Sequence, residues 1–239
     1  MKAVTKIITP LLLILSAQAY STPVYWTDWT TRPDANSAVG SINVGGTNID
    51  VTLTSTESLY GLQTDCGTNF WVSYAGSFTS GTADNAPTPC EMVQFSAGST
   101  VTVSFSDTVE NLYFGLLSWN GNTTTFDTEI SIDSSVRGYY GGPGTPSMNA
   151  TSTGFTTTSG YYGEYHGLVK ADGVFDDVSF THSTEHWHGF TVGIAGLSDE
   201  DDNNQVDAEV TAPSSVLTML LGSALIAGFS HRKQHKNKA

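Results

Sequence analysis

The chain has 239 residues, with 9 lysines and arginines against 23 aspartates and glutamates and a formal net charge of −14. All 23 acidic residues lie between the terminal segments with only three basic ones, Arg32, Arg137 and Lys170, so that central part carries 20 net negative charges. Such a field repels nucleic acid phosphates and anionic lipid surfaces, which excludes nucleic acid as a partner, and it draws in divalent cations.

At the N-terminus Lys2 and Lys6 precede the apolar run Ile7 to Leu15, and Ser16-Ala17-Gln18-Ala19 places small residues at positions −3 and −1 of a cleavage site. This is the pattern of a secretory signal peptide over 1–19, with the mature chain starting at Tyr20.

Residues 20–197 read as one all-β domain. Gly, Ser, Thr and aromatic residues abound, and no long stretch shows helical periodicity. Val101-Thr102-Val103-Ser104-Phe105, Ile130-Ser131-Ile132, Val174 to Phe180 and Phe190 to Ile194 alternate as strands with one buried face. Asn111 to Trp119 is more continuously apolar and suits a central strand covered on both faces. Gly45-Gly46, Ala97-Gly98, Asn120-Gly121-Asn122 and Asp172-Gly173 punctuate these strands as turns. With no crossover helix to build a parallel sheet, the expected architecture is an antiparallel β-sandwich of jelly-roll type.

Cys66 and Cys90 are the only cysteines. In an oxidising compartment they are expected to form a disulfide closing a loop worth about 3 kcal/mol by chain entropy. Tyr139, Tyr140, Tyr161 and Tyr162 sit in glycine-rich loops and are candidates for stacking on a ligand, whereas Trp71, Trp119 and Trp187 are expected in the core. His182, His186 and His188 lack the further ligands a zinc site requires, so they read as rim and strand-surface histidines.

Asp176-Asp177 and Asp127 with Glu129 are the nearby carboxylates, but adjacent strand residues face opposite ways and no catalytic motif accompanies either pair. No catalytic residue, cofactor or metal site is therefore assigned. The one ion the acidity admits is a structural Ca2+ at the sandwich edge, held by Asp28 or Asp176.

Residues 198–209, beginning Ser198-Asp199-Glu200-Asp201-Asp202, are too acidic and polar to bury a core and read as a linker. Beyond them Ala212-Pro213-Ser214-Ser215 leads into an apolar segment, a transmembrane helix over about 213–230, followed by a basic end containing Arg232 and Lys233.

That tripartite order over 210–239 resembles the PEP-CTERM sorting signal, with Ala212 standing where the family usually has Glu. The resemblance implies an exosortase-type processing enzyme as partner, transient residence in the inner membrane, and delivery to the cell surface or extracellular polysaccharide matrix. The pieces Val109 to Phe114, Asn120 to Phe126, Gly173 to Phe180 and Glu185 to Ile194 also resemble a domain found before such signals, for which the family implies a β-sandwich and no activity.

The resulting expectation is an exported, non-catalytic β-sandwich with a structural or polysaccharide-contacting role. The alternative is a secreted hydrolase acting on matrix polysaccharide. A groove holding two convergent carboxyl groups beneath exposed aromatics favours the enzyme, and a smooth closed sandwich favours the structural role.

Overall fold

The computed structural model describes residues 21–198, apart from 66, 73–76, 80, 90 and 136. The signal peptide 1–19, Cys66 and Cys90, the acidic run after Ser198, the sorting motif Ala212 to Ser215 with Arg232 and Lys233, and the helix at about 213–230 lie outside the described residues. Among the described residues no helix is long and apolar enough to cross a membrane.

The described residues are all-β and their strands pair antiparallel. They are β1 (Tyr25–Trp26), β2 (Asp28–Thr31), β3 (Ser37–Val44), β4 (Thr47–Ser55), β5 (Gly61–Gln63), β6 (Met92–Phe95) and β7 (Ser99–Trp119). After these come β8 (Thr123–Phe126), β9 (Ser131–Ile132), β10 (Ser147–Met148), β11 (Gly154–Thr156), β12 (Tyr165–His182) and β13 (His188–Leu197).

Two long strands organise everything else. The first half of β7 pairs β4 on one side and the second half of β12 on the other, and β12 continues through β8 to β11 and β10. The second half of β7 pairs β13 and the first half of β12, and β13 carries β6 and β1 on its far edge. The two halves form the layers of a sandwich. Trp29, Ile42, Val51 and Leu53 of one layer share a buried cluster with Phe114, Leu116, Phe190 and Val192 of the other, which is how two apolar faces leave water together.

β7 and β12 pass from layer to layer at a shared irregularity, where their register jumps between Phe175–Val109 and Asp177–Ser104. Extra residues on one strand bend it and increase its twist. Gly173 takes φ +138° at this point, a conformation L side chains rarely adopt. The turn expected at Asp172-Gly173 is therefore a bend inside one continuous strand. The turn at Gly45-Gly46 is present, both glycines having positive φ between β3 and β4, as tight hairpins require.

The run 111–119 lies covered on both faces. Leu112, Phe114 and Leu116 point into the main core, while Tyr113 and Leu117 join a second cluster with Trp26, Trp71, Phe78, Met92 and Leu168. Trp71, Phe78 and Ala83, between β5 and β6, and the side chains of Val24 and Trp26 at β1 lie over this outer face, and small residues let them approach. A Cβ on Gly193 would sit 2.6 Å from Val24 Cγ1 and 2.7 Å from Trp26 Cε3, and one on Gly115 would meet Thr191 at 2.9 Å and Pro87 at 3.1 Å.

Candidate functional site

β7 ends, β12 begins and β13 begins at the same end of one layer, and the three meet at an open cleft of about 610 Å³. Its polar floor comes from those strand ends: Ser118 on β7, Asn120 just after it, Glu164 just before β12, and Glu185 with His186 just before β13. Its wall is aromatic, with Tyr60, Phe70, Tyr140 and Trp187.

Ser118 is positioned by a kink. It has φ +60°, uncommon for a residue with a Cβ, and the register of β7 against β12 shifts beside it, between Tyr165 and Gly167. The kink turns Trp119 into the main core and frees the Ser118 backbone N–H, which donates to His166 Nδ1 at 3.1 Å. With Nδ1 an acceptor, His166 carries its proton on Nε2. The Ser118 hydroxyl donates to Glu164 Oε2 at 2.6 Å, a re-aiming of the kind that bulges near functional sites produce.

Asn120 holds both glutamates. Its side-chain amide donates to Glu164 Oε1 at 2.7 Å, and its backbone N–H donates to Glu185 Oε1 at 3.1 Å. The Glu185 side chain is 6 % exposed and the Glu164 side chain 11 %. Burial is the largest influence on both and raises both proton affinities, that of Glu185 to about 8, with the Glu164 charge adding to it. No lysine or arginine is among the described residues lining the cleft.

A row of neutral histidines lies beneath. Glu185 Oε2 has no hydrogen-bond partner and lies 3.4 Å from His188 Nδ1. His188 Nε2 is 3.1 Å from His182 Nδ1, and His182 Nε2 is 2.8 Å from Ser99 Oγ. Burial lowers the pKa of His166 and His182 to about 4 and that of His188 well below its ordinary value. With Glu185 protonated and His188 neutral, the contact between them is not an ion pair.

His182 and His188 are thus interior residues and not the rim and strand-surface histidines expected; they pack against Phe95 and Trp119. His186 stays exposed at the cleft. Trp71 and Trp119 are buried, while Trp187 is half-buried, a wall of the cleft where a core position was expected.

The wall is a packed aromatic unit. Phe70 lies against Trp187 with ring centroids 5.6 Å apart, stacks on Tyr140 at 5.8 Å and meets Tyr139 edge-on at 5.0 Å. The Trp187 indole N–H donates to Gln94 Oε1 at 3.1 Å, which fixes the indole plane. Of the four candidate tyrosines, Tyr140 lines the cleft and Tyr139 buttresses it. Tyr161 and the 81 % exposed Tyr162 pack edge-to-face on each other outside its lining.

Asp176 accepts a hydrogen bond from Thr108 near the bend, far along β12 from the cleft. No group of three or more His, Cys, Asp or Glu among the described residues converges as a metal site. Glu164, Glu185, Asn120, Ser118, Gln94, Tyr60 and Phe70 were not among the residues singled out in the sequence. Glu185-His186-Trp187-His188, with two titratable residues beside a tryptophan, was the available signal.

No protein-family model matches the chain, and no curated protein matches it.

Proposed function

We propose that this is an exported protein of the cell surface or extracellular matrix that binds polysaccharide in the cleft at the ends of β7, β12 and β13. The single observation behind this reading is the pairing of an aromatic wall, Trp187, Tyr140, Phe70 and Tyr60, with a floor of carboxyl, amide and hydroxyl groups. Flat rings stack on the apolar face of a pyranose, and fixed polar groups select its hydroxyls.

Export rests on the signal peptide over 1–19 and the PEP-CTERM-like tail over 210–239, with an exosortase-type enzyme removing the tail and the inner membrane as a transient station. The protein purified from its host, applied to a glycan array, is expected to bind a subset of polysaccharide fragments. Trp187→Ala is expected to reduce that binding at least tenfold. Silence across the array removes the polysaccharide role.

The hydrolase reading draws on the two carboxyl groups held by Asn120. Against it, both Glu185 oxygens turn inward, one toward the Asn120 backbone and one toward His188, whereas an acid catalyst must present its proton to the glycosidic oxygen. Absence of new reducing ends after prolonged incubation with a bound glycan supports the non-catalytic reading. Their release, abolished by Glu185→Gln, overturns it.

A further inference from the structure

We infer that the cleft recognises an amino sugar, and that the positively charged C2 ammonium of a deacetylated hexosamine unit sits over Glu164 against the Trp187–Tyr140 wall. The inference rests on the polysaccharide reading above and names the substrate class of that site.

Three observations carry it. The first is charge without compensation. Two carboxyl groups share one asparagine in a cleft whose described lining holds no lysine or arginine. Glu164, its side chain 11 % exposed, lines the cleft with both oxygens held by cleft residues, while Glu185 beside it turns its oxygens to the Asn120 backbone and His188. Buried carboxylates require either a proton or a cation beside them, and burial here already drives both toward the proton. A ligand ammonium takes the place of that proton beside Glu164, which releases it to water.

The second is the wall. Trp187 and Tyr140 lie 5.4 Å apart at 65°, with Phe70 behind both. Aromatic faces attract cations through their quadrupole, most strongly when water is excluded, and aromatic cages are a recurrent solution for ammonium groups. The third is the unused polar capacity around the charge. Glu164 accepts one hydrogen bond at each oxygen, from Ser118 and Asn120, and each oxygen has a second lone pair for an N–H or O–H of the ligand. His186 at the rim and Gln94 across the floor are placed for neighbouring hydroxyls. A uronate or sulfated sugar would bring a second negative charge to the same spot and is selected against.

The test uses three β-1,4-linked hexasaccharides that share one backbone and differ only at C2: chitosan hexamer (amine), chitin hexamer (acetamide) and cellohexaose (hydroxyl). Calorimetric titration of the protein purified from its host, at pH 6 and 150 mM salt, is expected to show the amine form binding at least tenfold tighter than either other form. In Glu164→Gln the preference should shrink to threefold or less while weaker, ring-dependent binding persists. Gln preserves the shape and hydrogen bonding of a neutral carboxyl, and circular dichroism and thermal melting report whether the fold survives.

Nonspecific attraction of a cationic oligomer to an acidic protein predicts something different. It predicts a preference that survives removal of one charge from a central part with 20 in excess, and one that vanishes at 500 mM salt. Either result overturns the inference. Equal or tighter binding of the acetamide or hydroxyl form overturns it too, yet leaves polysaccharide binding standing. No binding of any hexamer overturns it as well, and the glycan array then decides separately whether the broader reading survives. Competition by an oligolysine peptide as effective as the amine hexamer would reassign the site to a basic peptide.

Discussion

At the scale of single residues, three buried carboxyl groups and three buried histidines set an unusual pH response. Glu185 binds its proton up to about pH 8 and Glu91 to about 7, chiefly through burial, and Glu164 is raised as well. These groups stabilise the fold below the ordinary carboxylate range and lose that contribution as pH rises through their folded values. His166, His182 and His188 are shifted the other way, so their contribution is present above about 6.5 and lost as pH falls toward 4. Between about pH 4.5 and 6.5 the folded chain holds the Glu185 and Glu91 protons, with Glu164 shifted the same way, and the unfolded chain holds three imidazolium protons, so the two slopes oppose and largely offset each other. Thermal melting from pH 3.5 to 9 is expected to show a plateau over that window with a decline on each side. Glu185→Gln should flatten the alkaline decline, because the variant never has to hold a buried negative charge. None of this could be read from the sequence, where the glutamates are 21 positions apart and a histidine's burial leaves no mark.

At the scale of elements, alternation was a partial guide. Val101, Val103, Phe190, Val192, Ile194 and the doubly covered run 111–119 lie where their apolar spacing put them, but the strand at Phe190 to Ile194 is buried on both faces where one was expected, and Val174, expected on a buried face, is 59 % exposed. The bend in β7 and β12 was not legible, because Asp172-Gly173 has the composition of a turn and only the partner strand reveals that pairing continues past it. The second core was hidden for a related reason: Gly115, Thr191 and Gly193 look like gaps in an apolar pattern, and their value lies in what they admit. Gly193→Ala is accordingly expected to push Val24 and Trp26 off the sheet and cost about 1–3 kcal/mol. Urea denaturation reads this as a lower midpoint with little change in slope. Gly173→Ala, forced into φ +138°, should also destabilise, whereas the same change at Gly196, whose Cβ direction is open, should be nearly neutral.

For the molecule as a whole, the proposed export makes two statements that mass spectrometry of the protein from its host can check. The mature chain is expected to begin at Tyr20 and to end near Pro213; an intact end at Ala239 would mean plain membrane anchoring. In the same material Cys66 and Cys90 are expected to resist alkylation until reduced, and labelling without reductant would show free thiols. The proposed terminal signals rest on the sequence alone, as linear strings that other proteins would read. The cleft was not legible there, because it exists only where three strand ends from distant parts of the chain converge.

That convergence also decides how the protein meets a pull. β13 starts at the cleft beside Trp187 and leaves at Leu197, and between these points it is matched to β7 at eight positions from Gly189–Leu117 to Leu197–Val109. On the polysaccharide reading, tension between a polymer held by the cleft residues at the end of β7 and the start of β12 and the chain beyond Leu197 runs lengthwise along this ladder. Its rungs are strained side by side and must yield together, where a strand loaded crosswise would unzip one rung at a time.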